Sequence, residues 1–262
     1  MTTPQAFAPG LAGRRVLVIG SGPGIGLETA RTFAALGARI GVVDIDPGRA
    51  DDAVAALDGE GHAGFECDVR DAAGVQELMA AVVGSFGLPD VLVNVVGIGG
   101  PARGVGETDV ELWDEIIGLN LRQQFLVAQA FLPAMMERGS GSVVVISSIN
   151  AQQSSPLRIP YGVAKAGLDS LVRSLAIEAA PHGVRVNSVR PGSTRTPRRL
   201  HLAEGELGEL YRREIPIGRL AEPVDVANLV VFLASDLSRH ITGEHVVIDG
   251  GSTIRYSQPA GN

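Results

Sequence analysis

The sequence predicts one α/β domain built on a doubly wound, parallel sheet of about seven strands with helices on both faces. Three observations carry this. Short runs rich in Val and Ile alternate with amphipathic stretches along the whole chain. The apolar runs lack an in/out alternation, as expected of strands buried on both faces. Hydrophobic residues make up 45% of the chain but aromatic ones only 4%, so a large core must be assembled from aliphatic side chains, which suits a sheet between two helix layers. A length of 262 residues admits two domains of about 150 residues. No linker, repeat or low-complexity segment breaks the pattern, so residues 1–262 read as a single domain.

The elements follow in order. A first strand over 16–19 runs into a glycine-rich stretch and a helix over 26–36. Strands at 39–43 and 64–66 precede helices at 49–57 and 72–86. A strand at 91–94 leads to one long helix over 110–136, and a strand at 142–146 to a helix over 161–179. A strand at 185–189, a helix at 224–233 and a strand at 245–248 complete the set. Strand–helix alternation makes βαβ units, and right-handed crossovers place the helices on both faces. Residues 192–219 form the one long irregular stretch; a loop of that length reads as a functional lid, over about 193–219. Residues 1–12 and 255–262, rich in small residues and Pro, read as tails.

The bulk numbers narrow the function. A formal charge of -7 argues against a domain that grips nucleic acid by its phosphates. The one cysteine, Cys67, rules out an internal disulfide and fits a reducing compartment. No apolar run approaches the roughly 20 residues of a membrane span, and the first residues carry no apolar signal core. Arg14-Arg15 reads as the approach to the first buried strand, not as a twin-arginine signal. A cytoplasmic location is expected. His62, His182, His201, His240 and His245 are scattered without metal-ligand spacing, so no metal is expected. Cys67 reads as a small buried residue, and Trp113 as a packing residue.

Chemistry concentrates in two places. In GSGPGIG, residues Gly20, Gly24 and Gly26 follow the first strand directly and open a helix. Glycines there permit a tight turn and close approach of backbone to a pyrophosphate, which the helix N-terminus attracts. The next strand ends in Asp44, 24 residues after Gly20. A carboxylate so placed accepts hydrogen bonds from both ribose hydroxyls of an adenosine half and repels a 2′-phosphate. Ile45, Asp46 and Pro47 follow it and Pro23 lies in the loop, so no Arg or Lys is expected beside Asp44. The preferred cofactor is therefore NAD over NADP.

The second place is YGVAKAG, where Tyr161 and Lys165 share one helical face. A phenol ionises near pH 10, too high for a base at neutral pH, and an ammonium beside it lowers that value. Ser148 closes the fifth strand, at the carboxyl edge where doubly wound sheets bind ligands. Its hydroxyl is suited to hold a substrate oxygen while Tyr161 exchanges a proton with it.

On these motifs the chain resembles the short-chain dehydrogenase/reductase family, from about Arg14 to Thr253. The glycine loop is matched by Gly20-Ser21-Gly22-Pro23-Gly24-Ile25-Gly26, the adenine-side pair by Asp68-Val69, and the nicotinamide-side segment by residues 191–196. The family's active tetrad maps onto Asn120, Ser148, Tyr161 and Lys165. The closing ITGEHVVIDGG resembles a subunit-contact segment. The resemblance implies a Rossmann fold. It implies that Asn120 bends its helix and holds a relay water, and that Ser148 stabilises the substrate oxygen. Tyr161 would be the acid or base, and Lys165 would tune it and bind ribose. Thr196 would hold the nicotinamide carboxamide. Gly20, Ser21, Gly24, Ile25, Gly26, Asp44, Ile45, Asp68, Val69, Asn94, Gly97, Pro191, Gly192 and Thr194 would line the rest of the cofactor groove. Two departures stand out. Ile19 replaces the usual Thr before the loop, and Asn94-Val95-Val96-Gly97 replaces Asn-Asn-Ala-Gly. They remove polar braces, and local rearrangement by apolar packing is expected.

The function expected is hydride transfer between NAD(H) and a secondary alcohol or ketone, by a homotetramer. Two alternatives stay open: a 3-oxoacyl-type ketoreductase using NADPH, and a non-catalytic NAD-sensing protein. The lid arginines Arg195, Arg198, Arg199, Arg212 and Arg213, together with Arg158, read either as solvated charges or as a grip on an acidic substrate or carrier.

Overall fold

A computed structural model describes residues 9–202 and 204–254. Seven parallel strands form one sheet in the order β3-β2-β1-β4-β5-β6-β7. They are β1 (Arg15–Ile19), β2 (Arg39–Asp44), β3 (Ala63–Glu66), β4 (Val91–Asn94), β5 (Gly141–Ile146), β6 (Val184–Pro191) and β7 (His245–Ile248). The helices are α1 (Ile25–Ala35), α2 (Pro47–Ala55), α3 (Ala72–Ser85), α4 (Val110–Ile117), α5 (Gln123–Arg138), α6 (Ile159–Ala179), α7 (Gly205–Glu214) and α8 (Pro223–Ala234).

The inner strands β1, β4 and β5 are almost wholly apolar because successive side chains enter different cores. Leu17 and Ile19 join Val75, Phe131 and Leu168 on one face. Val16 and Val18 join Phe33, Ala53 and Val230 on the other. Only the edge strand β3 alternates between half-buried and exposed. Aspartates start several helices: Asp46, Asp71 and Asp109 accept from backbone amides of α2, α3 and α4, bonds worth about 1 kcal/mol each. Strand order reverses between β1 and β4, the switch point where such sheets open a ligand crevice.

Three expectations change. The long helix over 110–136 is two helices joined by a π-helical turn, Gly118–Arg122. The stretch 192–219 is not irregular: it holds a 3₁₀ turn, Pro197–Leu202, and α7. The N-terminal tail ends sooner than residue 12. Leu11 is buried, the Pro9 carbonyl accepts from the Asp236 amide at 3.2 Å, and the Gly13 amide donates to the Gly37 carbonyl at 2.8 Å. The rest of that tail, 1–8, and the C-terminal tail, 255–262, lie outside the described residues. Among the described residues no helix is long and apolar enough to cross a membrane.

Candidate active site

The glycine loop leaves β1 at the switch point and is tied to β2, with the Gly20 amide donating to the Val43 carbonyl at 2.8 Å. A Cβ on Gly26 would sit 1.8 Å from the Gly20 carbonyl oxygen, so this turn closes only with glycine. Gly24, at φ 129°, is the N-cap of α1 and faces Thr196, whose Cγ2 would lie 3.3 Å from a Cβ there. The segment after β6 thus crosses the loop. Unlike α2, α3 and α4, α1 has no side-chain cap, so its first amides stay available to an anion. Ser21, in the loop, is buried with its hydroxyl unpartnered. A buried hydroxyl without a partner costs free energy, and here it fits a ligand's polar group. These features fit a dinucleotide, the loop holding its phosphates.

Asp44 ends β2, with its carboxylate buried. It is not free of cations, contrary to expectation. Pro47 and Asp46 start α2 so that Arg49 folds back, its Nη1 3.4 Å from Asp44 Oδ1 and its Nε 3.1 Å from Asp46 Oδ2. Arg49 lies five positions after Asp44, and the first turn of α2 removes that distance. Ile45 stands exposed at the lip, Val69 is buried, and Asp68 is paired with Arg70 at 2.6 Å.

Asn94, at the end of β4, is buried. Its amide donates to Gln123 Oε1 at 2.9 Å and its oxygen accepts from the Val96 amide. Val96 in turn packs on the glycine loop, 3.0 Å from a Cβ placed on Gly20. Val96 thus braces the glycine loop by apolar contact. Asn120 lies inside the π-turn. Its Nδ2 donates to the Ile98 and Ile116 carbonyls, both at 2.9 Å, and its Oδ1 accepts from the Ile98 amide at 3.0 Å. Gly97 is wedged between Asn120 and Lys165; a Cβ on it would meet Asn120 Oδ1 at 2.8 Å and Lys165 Nζ at 3.0 Å.

Ser148 caps the 3₁₀ turn Ile149–Ala151, its Oγ accepting from the Asn150 amide at 3.1 Å. Tyr161 stands in the first turn of α6, facing the Ser148 hydroxyl. Lys165, one turn on, is fully buried; its Nζ donates to the Ile146 carbonyl at 2.8 Å and lies 5.7 Å from the Tyr161 ring centroid. Burial pushes the Tyr161 phenol above its ordinary value, while Ser148 and the charges of Arg199 and Arg158 act against that. Burial pushes Lys165 down to about 8, with Asp169 opposing. Arg158, at the N-cap of α6, donates to the Gly99 carbonyl at 3.0 Å and to the Gly100 carbonyl. This ties the loop after β4 to α6. Leu157 beside it holds φ 59°, a strained value for a residue with a branched side chain, and its carbonyl accepts from the Arg103 amide.

Pro191 ends β6, Gly192 donates to the Ile248 carbonyl at 2.9 Å, and Thr194 is buried and bridges to Ala221. Ser148, Tyr161, Lys165, Asn120, Gly97 and the glycine loop thus gather at the carboxyl edge of β1, β4 and β5. Sequence reasoning missed Arg49, and also the buried Asp169 with its half-buried partners Arg190 and His245, one turn beyond Lys165. Asp169 carried a signal, since it falls four residues after Lys165 on the same helical face.

Comparison with known proteins identifies a family. The family model described as enoyl-(acyl carrier protein) reductase matches residues 20–253. D-threitol dehydrogenase of Mycolicibacterium smegmatis is 38% identical over 94% of this chain and 95% of its own. L-rhamnose 1-dehydrogenase (NAD(P)(+)) of Azotobacter vinelandii is 38% identical over 92% and 97%. The crystal structure of gox2181 superposes with a TM-score of 0.89 at 32% identity, covering 93% of this chain and 97% of that one. The chain belongs to the short-chain dehydrogenase/reductase family, oxidoreductases that work with a nicotinamide cofactor.

Proposed function

We propose that the protein interconverts a secondary alcohol and a ketone with NAD as hydride carrier and Tyr161 as general acid–base. The observation that carries this is the convergence of Ser148, Tyr161 and buried Lys165 beside the glycine loop. When bound, NAD supplies the hydride acceptor at its nicotinamide. Its phosphates would meet the Gly20–Gly26 loop and Ser21. Its adenosine side would meet Asp44, Ile45, Asp68 and Val69, and its nicotinamide side Asn94, Gly97, Pro191, Gly192, Thr194 and Thr196. The Ser148 hydroxyl holds the substrate oxygen. Tyr161 takes the hydroxyl proton as the carbonyl forms, and the Lys165 ammonium favours the phenolate it needs. Asn120 holds the loop after β4 against Lys165.

The Asp44 carboxylate supports NAD, since it pairs with a ribose diol and repels a 2′-phosphate. Arg49 beside it favours the second reading, reduction with NADPH. Polyols and sugars head the substrate panel because two relatives are named for D-threitol and L-rhamnose. The single cysteine, Cys67, free and buried, supports a reducing, cytoplasmic setting. Exposed apolar residues on α5 and α6, namely Phe125, Val163 and Ile177, support a homotetramer.

The test is turnover of secondary alcohols with NAD and NADP, beside calorimetric cofactor titration, for three proteins. Tyr161→Phe should fold, bind NAD and lose turnover by about 100-fold or more. Ser148→Ala should lower turnover with NAD affinity nearly intact. Turnover near that of the unaltered protein in Tyr161→Phe would overturn the reading in favour of another base. Cofactor binding with no turnover of any alcohol or ketone would favour a sensor.

A further inference from the structure

Lys165 is the only lysine in the chain; every other long cationic side chain is an arginine. Its ammonium is enclosed, with one hydrogen bond to a backbone carbonyl. A buried ammonium without an anion nearby loses its proton, and the site needs that charge. The anion lies one helical turn further along α6. Tyr161, Lys165, Asp169 and Arg173 follow one another at intervals of four, on one face of the helix. Asp169 is buried too, and its carboxylate has several claimants. Arg190 of β6 reaches Oδ2 with Nη2 at 2.5 Å and Nε at 2.8 Å. Ser188 of β6 and His245 of β7 face Oδ1, each at 3.5 Å. His245 also meets the Ser188 hydroxyl at 2.8 Å through Nδ1 and Arg173 at 3.0 Å through Nε2. Arg190 continues to Gln152 Oε1 at 3.2 Å, in the segment that follows Ser148.

We propose that Asp169 is a positioning residue for the reaction: its carboxylate is the buried counter-charge of Lys165, and Arg190 sets how much of it Lys165 feels. This rests on the reading of Tyr161 and Lys165 as the acid–base centre. The titratable groups one turn to either side of Lys165 on α6 are Tyr161, whose ring centroid is 5.7 Å from Nζ, and Asp169, which makes no ion pair with Lys165 within 4 Å and acts on it as a charge through the low-dielectric interior. β5 contributes only the Ile146 carbonyl, the loop after β4 contributes Gly97, and the π-turn contributes neutral Asn120. Asp169 is faced by Arg190 and by His245, and His245 by Arg190, Arg173 and Glu244. Burial keeps His245 below its ordinary value, so above pH 7 it is neutral. The balance then lies between Lys165 and Arg190 for one carboxylate.

A single lysine makes the test direct. Lysine labelled with carbon-13 at the ε position gives one side-chain signal, and its shift follows the charge of Lys165 in the full-length protein without cofactor. In Asp169→Asn the titration midpoint should fall by at least about one pH unit, because the counter-charge is gone and burial remains. In Arg190→Gln it should rise, because Asp169 loses its strongest competitor. Opposite signs are the signature. A purely structural brace would leave the midpoint in place, or move it the same way in both variants, and either result overturns the proposal. Circular dichroism checks the fold, and if Asp169→Asn does not fold, the rise or its absence in Arg190→Gln decides. With alcohol and NAD, turnover of Asp169→Asn relative to the unaltered protein should fall as pH rises from 6 to 8; a ratio independent of pH counts against the proposal. Full turnover in Tyr161→Phe would defeat the acid–base reading alone, and the lysine titration would still settle the counter-charge.

Discussion

Replacing Lys165 with methionine should stabilise the protein while destroying its activity. The Lys165 ammonium is almost completely enclosed, and burial moves its pKa from the ordinary 10.5 down to about 8. Each tenfold change in the ionisation equilibrium is worth about 1.4 kcal/mol, so below pH 8 the buried charge costs the fold about 3 kcal/mol. Methionine has similar length and no charge. It forfeits the 2.8 Å bond to the Ile146 carbonyl, and a buried acceptor left alone costs about 1–3 kcal/mol. The net expectation at pH 7 is a gain of about 1 kcal/mol in Lys165→Met. The pH dependence is sharper. Between pH 8 and 10.5 the unfolded chain keeps the lysine proton and the folded chain has lost it. Raising pH there therefore favours the folded state of the unaltered protein by up to about 3 kcal/mol. Lys165→Met has no such gain, so its advantage should vanish and reverse across that window. Urea unfolding at fixed protomer concentration, at pH 7 and pH 10, measures both midpoints. A stability difference that does not change with pH would refute the buried-charge argument, whatever its sign at pH 7.

Other outcomes follow from single contacts. Gly26→Ala should lose cofactor binding in calorimetry, with a stability loss of about 1–3 kcal/mol, since its Cβ would lie 1.8 Å from the Gly20 oxygen; unchanged NAD affinity would contradict the loop's role. Asp44→Ala releases Arg49 from its 3.4 Å partner, so NADP should gain on NAD, and adding Arg49→Gln should undo that gain; equal cofactor preference in all three proteins would show that this pair sets nothing. Light scattering at micromolar concentration should give a homotetramer with dihedral symmetry, and a stable monomer would rule that out.

What the sequence made legible depended on whether the determinant was local. The inner strands are found within a residue or two because both of their faces are buried, so apolar runs mark them directly. Tyr161 and Lys165 are found because helical spacing alone puts them together. Helix α7 was hidden because its apolar stripe is short: Leu207, Leu210 and Tyr211 share one face among Gly, Glu and Arg, both leucines are exposed, and Gly205 and Gly208 within ten residues read as loop. The π-turn was hidden in apolar periodicity because a change of hydrogen-bond register leaves the side-chain pattern intact; only the resemblance at Asn120 pointed to a bend. Leu11 reads as tail because one leucine among Ala, Gly and Pro has no period, and its burial is long-range. Arg49 required the first turn of α2 to be known. The Asp169 cluster required the pairing of β6 with β7, which brings Ser188 opposite His245.

The site therefore divides by how its parts are held. The glycine loop, Gly97 and Gly192 are set by the absence of side chains, where backbone or a neighbouring side chain already fills the space a Cβ would need. At Gly26, Gly97 and Gly192 an added Cβ would lie within 3 Å of a neighbouring atom, so these three positions admit a side chain only if their surroundings move. The bracing around them is less constrained. Here Val96 presses on Gly20 and Asn94 turns its amide to Gln123, doing by packing and a side-chain pair what polar residues commonly do. Apolar packing gives contact without direction, and Asn94–Gln123 supplies the direction: breaking it with Gln123→Leu leaves a buried amide unpaired at the end of β4. The cost of that is about 1–3 kcal/mol, and it falls on the strand that carries Gly97 to Lys165. A local fault at β4 should therefore reach Lys165 through Gly97 before it reaches the glycine loop, because that loop keeps its separate tie to β2 through the Val43 carbonyl.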